Sequence, residues 1–163
     1  MELSFRDLEP ADVPELEALL RANQPLFTSV ECEIALDVIR EGLDKRETED
    51  EDAYRFLLAM NAQRIVGYVC FGAIALTRGS YDLYWIAVHP EHHGRGIGRT
   101  LLHHCERLIA NQGARLILAE TSSINPKAQR FYGETMGYDL AARITDFYGV
   151  GEDRLTYVKY LAP

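Results

Sequence analysis

A chain of 163 residues holds one domain with a core of its own and is short for two. Hydrophobic residues make up 47% and charged residues 26%, the balance of a globular protein and not of a disordered or membrane-embedded chain. The formal net charge of -8 argues against a nucleic-acid partner, whose binding domains are basic, and leaves a cationic substrate open.

In chain order, Leu3–Leu8 alternates apolar and polar residues and predicts a first strand. The stretch EPADVPELEALLRANQ predicts a helix, with Asp12 as its cap, Pro14 in the first turn and Val13, Leu16 and Leu20 on one face. A second helix covers SVECEIALDVIREG and ends at Gly42. Glu41–Asp52 follows with seven carboxylates in twelve residues and reads as a solvated connector. AYRFLLAM and RIVGYVCFGAIAL form a hairpin about the turn NAQ, and YDLYWIAV is a buried strand. The next helix carries Ile97, Leu101, Cys105, Leu108 and Ile109 on one stripe. RLILAE is a short buried strand. NPKAQRFYGETMGY is a helix with Asn125 as N-cap and Pro126 in first position, stopping at Gly137. YDLAARITDFY and RLTYVKYL close the chain as two strands around GVGED.

Cys32, Cys70 and Cys105 stand apart in apolar contexts, as core residues of a reducing compartment and not as a disulfide or metal set. No run approaches a membrane span and the N-terminus lacks a signal-peptide core, so a cytoplasmic location with no membrane partner is expected. All five histidines, His89, His92, His93, His103 and His104, lie within sixteen residues and read as surface groups, so no metal is expected.

The stretch HPEHHGRGIGRTLLHHCERL, His89–Leu108, lies between a strand and a helix. Gly94, Gly96 and Gly98 alternate there with Arg95, Ile97 and Arg99. Glycine is costly in ordered backbone unless the chain bends sharply or something approaches closely. A strand, a glycine turn and a helix start together make an anion site, because the first N–H groups of the helix lack internal partners. The two arginines point to a phosphate-bearing ligand. A phosphate loop of the GK[ST] type is excluded by sequence. A dinucleotide fingerprint has Glu120 in its favour, at the end of the next strand. Against it stand Arg99 in place of the third glycine, the five residues His89–His93 before Gly94, and a single strand–helix–strand unit.

IAVHPEHHGRGIGRTLL resembles the V-x-P-x-x-[QR]-G-x-G-[IL]-G signature of the GNAT superfamily of N-acetyltransferases, which cradles the pyrophosphate of acetyl-CoA. NPKAQRFYGETMGY is similar to that family's N-x-x-A-x-x-F-Y…G-[FY] helix, and the two lie in the family's order between Tyr81 and Tyr138. His93 departs from the usual Gln or Arg. The resemblance implies an α/β (α+β mixed) fold in one domain spanning residues 1–163. Its centre would be a mixed, mostly antiparallel seven-stranded sheet flanked by four helices, in the order β-α-α-β-β-β-α-β-α-β-β.

It further implies an acetyl-CoA-dependent N-acetyltransferase in which a primary amine of a small molecule, peptide or protein attacks directly within a ternary complex, and it admits a homodimer, an assembly common among proteins resembling this one. The backbone of Ile86 and Val88 would hold the thioester and pantetheine arm. That of His93, Gly94, Arg95, Gly96, Ile97, Gly98 and Arg99 would hold the pyrophosphate. Asn125 would touch the coenzyme, and Tyr132 would protonate the leaving sulfur. Titration of His93 would make coenzyme affinity fall as pH rises. An alkyl amine of pKa ~10.4 is about one part in a thousand neutral at pH 7, so a base matters. Glu120, desolvated at the end of a buried strand, and Asp82 on the strand before the loop are the candidates, beside a chain of waters. Asp146, Glu152 and Asp153 could attract a cationic amine. A non-catalytic acyl-CoA-binding module is the alternative from another class.

Overall fold

The computed structural model describes residues 2–46 and 53–161. The elements are β1 (Ser4–Asp7), α1 (Val13–Ala22), α2 (Ser29–Asp44), β2 (Arg55–Asn61), β3 (Arg64–Ala73), β4 (Ser80–Val88), α3 (Ile97–Ala110), β5 (Leu116–Ser122), α4 (Pro126–Arg130), β6 (Asp139–Gly149) and β7 (Glu152–Tyr160). A 3-10 turn, Pro10–Asp12, precedes α1, another spans Pro90–His92, and a π-helical turn, Phe131–Thr135, continues α4. The strands form one sheet in the order β1-β2-β3-β4-β5-β7-β6, antiparallel except for the parallel pair β4–β5. The α/β fold and its element order are those expected.

The runs in β2 and β3 are apolar throughout because both faces of the sheet centre are covered. Leu57, Ala59, Val69 and Phe71 share a core with Ile97, Leu101, Cys105 and Ile109 of α3. Phe56, Leu58, Met60, Tyr68 and Cys70 meet Leu16, Leu20, Leu36 and Ile39 of α1 and α2 on the other side. The three cysteines are free and buried, and burial pushes the Cys70 and Cys105 thiols up. Among the described residues no helix is long and apolar enough to cross a membrane.

Three local expectations are corrected. Asp12 stands before α1, but its carboxylate accepts the Glu9 N–H at 2.8 Å and two Arg6 N–H groups at 2.7 Å. It therefore closes the 3-10 turn against β1. The connector expected from Glu41 begins inside α2, and its residues 47–52 lie outside the described residues. Gly42 does not stop α2, which runs on to Asp44. A Cβ at Gly42 would collide with the Phe56 ring and come within 3.1 Å of the Tyr54 carbonyl, so the glycine serves close helix–strand packing.

Gly42→Ala should therefore destabilise the fold. Overpacking costs about 1–3 kcal/mol, against a gain in helix propensity of at most about 1 kcal/mol. A lowered urea midpoint at unchanged slope is the expected result, and a raised midpoint would show that the Phe56 ring yields.

One feature of the sheet shapes the site. Pairing between β4 and β5 ends at Leu83 and Ala119. Beyond it β4 stays on β3, with an irregularity that leaves Tyr84 between the pairs Phe71–Leu83 and Cys70–Trp85. β5 stays on β7 as far as Ser122 and Arg154. The two strands part, and a wedge opens at the C-terminal end of the parallel pair.

Candidate functional site

The wedge widens into a cleft of about 680 Å³. Ile86 and Val88 line one wall. The His89 N–H bonds Val66 of β3, so alternation turns the peptide groups of Ile86 and Val88 away from β3, toward the wedge. The Val88 carbonyl already accepts Asn23 Nδ2 at 3.2 Å and His93 Nε2 at 2.8 Å. That second bond requires the proton on Nε2. The other ring nitrogen, Nδ1, faces Lys127 Nζ at 3.4 Å. His93 thus ties the end of β4 to the start of α4 instead of standing free in the loop.

The glycine loop forms the floor. Gly94 has φ 73° and Gly96, the N-cap of α3, has φ 76°. Both lie in the left-handed region that favours glycine. A Cβ at either would meet nothing within 4 Å, so the loop surface is open. The Thr100 N–H reaches the Gly96 carbonyl at 3.0 Å, which leaves the first N–H groups of α3, those of Ile97, Gly98 and Arg99, without partners in the helix ladder. A cradle of this kind fits a pyrophosphate. Gly94, Gly96, Ile97, Gly98 and Arg99 line the cleft, whereas Arg95 is exposed and does not.

The far wall is α4 and the π turn. Asn125 caps α4, its Oδ1 accepting the Ala128 N–H at 3.1 Å, as expected, and it lines the cleft. The helix is not regular to Gly137. The Met136 N–H bonds the Phe131 carbonyl five residues back at 2.9 Å, and the extra residue swings Tyr132 inward. The Tyr132 ring packs against Tyr138 at 5.8 Å, Tyr157 at 5.9 Å and Phe131 at 5.3 Å between centroids. Tyr132 is 7% exposed and lines the cleft. Burial pushes its phenol up to about 12, so it stays protonated through the neutral range.

The carboxylates are arranged differently from expectation. Ile117, Ala119 and Thr121 of β5 face the α3 core, so the alternation of the strand leaves Glu120 on the opposite face, 42% exposed. It lines the cleft, accepts Thr156 Oγ1 at 3.4 Å and pairs with Arg154 Nη2 at 3.4 Å. The desolvation expected at Glu120 falls instead on Asp82. Asp82 does not line the cleft, but burial raises its pKa, the Glu120 charge raises it further and Arg154 opposes both. Asp153 and Asp146 are used within the fold. Asp153 is buried, accepts the Asp146 N–H at 2.9 Å and pairs with Arg143; those bonds hold its carboxyl below the usual range. Asp146 Oδ1 accepts the Gly151 N–H at 2.7 Å. Of the three acids named from the sequence, Glu152 alone lines the cleft, where it accepts Ser122 Oγ at 2.6 Å.

Sequence reasoning missed Asn23, Lys127 and the aromatic walls Phe27, Tyr84, Trp85 and Tyr148. Nothing local marked them, since they come from the α1–α2 loop, β4, α4 and β6. Among the described residues no group of three or more His, Cys, Asp or Glu is placed to hold a metal.

The profile of the Acetyltransferase (GNAT) family matches residues 16–138. A GNAT-family structure from Desulfovibrio desulfuricans superposes with a TM-score of 0.90 at 32% identity, covering 99% of this chain and 100% of that one. A chimera of the spermidine N-acetyltransferase from Vibrio cholerae superposes at 0.80, with 21% identity and 98% and 96% of the two chains covered. PaiA N-acetyltransferase from Thermoplasma acidophilum, in complex with coenzyme A, gives 0.76 at 20% identity over 99% and 100%. The family signature, the wedge and the glycine cradle agree, and the chain belongs to the GNAT family of acetyltransferases and is an acyltransferase.

Proposed function

We propose that this enzyme transfers the acetyl group of acetyl-CoA to a primary amine, with both substrates held in the wedge. The observation that carries the reading is the convergence of the Gly94–Arg99 cradle, the outward peptides of Ile86 and Val88, and Tyr132 on one cleft. Acetyl-CoA supplies the activated acyl group as a thioester. The cradle N–H groups hold its phosphates, with Arg99 and Lys127 adding charge, and Asn125 offers Nδ2 as a donor while its oxygen serves the cap. The Ile86 and Val88 peptides orient the arm. Holding both reactants in register removes the need for a covalent enzyme intermediate. Tyr132 Oη holds the proton for the departing sulfur, and the proton leaving the amine replaces it by way of solvent.

The acceptor enters from the side of Glu120. The walls there combine Tyr84, Trp85 and Tyr148 with the carboxylates of Glu31, Glu120 and Glu152. This combination suits a protonated amine on an apolar body. A spermidine acetyltransferase shares the fold, which supports a cationic acceptor in general terms. Glu120, facing the cleft, and Asp82 behind it take up the proton that the bound ammonium loses before attack; the second proton, lost as the amide forms, is the one that returns to Tyr132.

Free thiol released from acetyl-CoA, measured across a panel of amines and peptides, tests the reading. Release selective for one cationic class is expected. A thermal shift with acetyl-CoA but no release with any amine would favour the acyl-CoA-binding module. The pH profile tests the base. A base acts deprotonated, so the rate rises as pH climbs through the titration of Asp82, which burial and the Glu120 charge raise from its ordinary value. Glu120→Gln removes one cause of that rise and should move the acid limb to lower pH. A limb unchanged in both Glu120→Gln and Asp82→Asn would assign the proton to water alone.

A further inference from the structure

Behind the cleft, on the α3 side of the sheet, lies a charged cluster that the chemistry described above does not use. Lys159 Nζ reaches Glu106 Oε1 at 3.0 Å, Glu106 Oε2 at 2.9 Å and the Met136 carbonyl at 3.0 Å. Three donors meet three acceptors, so the ammonium is saturated. The Glu106 side chain is 8% exposed, on the stripe of α3 that otherwise carries Leu102, Cys105 and Ile109. Its second neighbour is His103, whose Nδ1 stands 3.1 Å from Oε2. A buried ion pair is commonly no more stabilising than apolar residues of the same volume, so stability alone does not account for this one. The third bond, to Met136, is the distinctive part.

Met136 ends the π turn, and the next residue, Gly137, has φ 69°. Glycine there leaves two soft dihedrals between the turn that carries Tyr132 and the Tyr138 ring that Tyr132 packs against. Lys159 spans this joint. It bonds the carbonyl before Gly137 and lies 5.4 Å over the Tyr138 ring after it. The Tyr138 N–H returns to the Tyr132 carbonyl at 2.9 Å and closes the circuit.

We infer that Lys159, held by Glu106, is a positioning residue that sets where the Tyr132 hydroxyl stands in the cleft. The inference rests on the proposed role of Tyr132 as proton donor. It is tested by thiol release and thermal melting of the full chain with acetyl-CoA and the best amine of the panel. Lys159→Met should lower kcat between about tenfold and 10²-fold, the cost of a donor displaced by a fraction of an ångström to one ångström, with KM for acetyl-CoA unchanged. Lys159→Met also strands the Glu106 charge, so a second variant, Lys159→Met with Glu106→Leu, removes it. That double variant should regain the wild-type melting temperature and keep the low kcat. In a Tyr132→Phe background, Lys159→Met should lower kcat no further, because no donor remains to be placed. A kcat that recovers together with the melting temperature, or an equal loss in the Tyr132→Phe background, would overturn the inference. An unchanged kcat in Tyr132→Phe alone would instead overturn the donor role, and this inference with it.

Discussion

Tyr132→Phe should reduce kcat for thiol release by about 10²-fold or more, the range typical of a lost general acid, while KM for acetyl-CoA stays the same. The substitution removes one oxygen and leaves the ring. The contacts with Phe131, Tyr138 and Tyr157 persist, so the melting temperature should hold within a few degrees. The hydroxyl belongs to a cleft-lining residue and is not among the buried polar atoms without a partner, so its loss strands no donor or acceptor inside the core. The sign of the pH dependence follows from the same burial. The donor works protonated, and its titration lies at about 12, so the phenol contributes no falling limb to the wild-type profile through the neutral and mildly alkaline range. A falling limb near pH 9 that disappears in Tyr132→Phe would contradict this assignment.

Gly96→Val should abolish the thermal shift caused by acetyl-CoA. At φ 76° a β-branched residue is strained by about 1–3 kcal/mol, and the isopropyl group would stand in the open space above the loop, where a phosphate must approach the N–H groups of α3. The two effects separate by measurement. Strain lowers the melting temperature of the free protein by several degrees, at roughly 2–4 °C per kcal/mol for a chain of this size. Blocked binding removes the increment that ligand adds, which at a hundredfold excess over Kd is about 2.7 kcal/mol in the wild type. A variant that melts lower yet keeps the full acetyl-CoA shift would show that the cradle does not hold the coenzyme.

The parts of the site that were legible in the sequence are those governed by neighbours along the chain. Alternating glycines before an amphipathic helix foretold the left-handed turns at Gly94 and Gly96. Asn125 ahead of Pro126 foretold the cap of α4, and Tyr132 follows that cap by about two turns. The strand and helix order followed from periodicity, and the seven-stranded sheet agrees with it. A π turn is less visible, since its single extra residue depends on what the turn packs against and not on its composition.

The titratable groups were misjudged for one reason. Whether a strand carboxylate is desolvated depends on which face of the sheet is covered, and the wedge between β4 and β5 decides that. It leaves Glu120 exposed and Asp82 half-buried behind it. Asp146 and Asp153 resemble a cation trap in the chain, yet backbone and arginine partners engage both.

The sequence by itself determined the element order, the glycine turn ahead of α3 and the cap of α4, because glycine dihedrals, helix caps and side-chain periodicity act within a few residues. Only the tertiary structure decided the rest. It chose which carboxylate loses water, joined His93 to Lys127 and Glu106 to Lys159 across 34 and 53 residues, and made Gly42 a packing contact instead of a helix stop. Burial and charge pairing are set by neighbours in space, and folding alone brings those together.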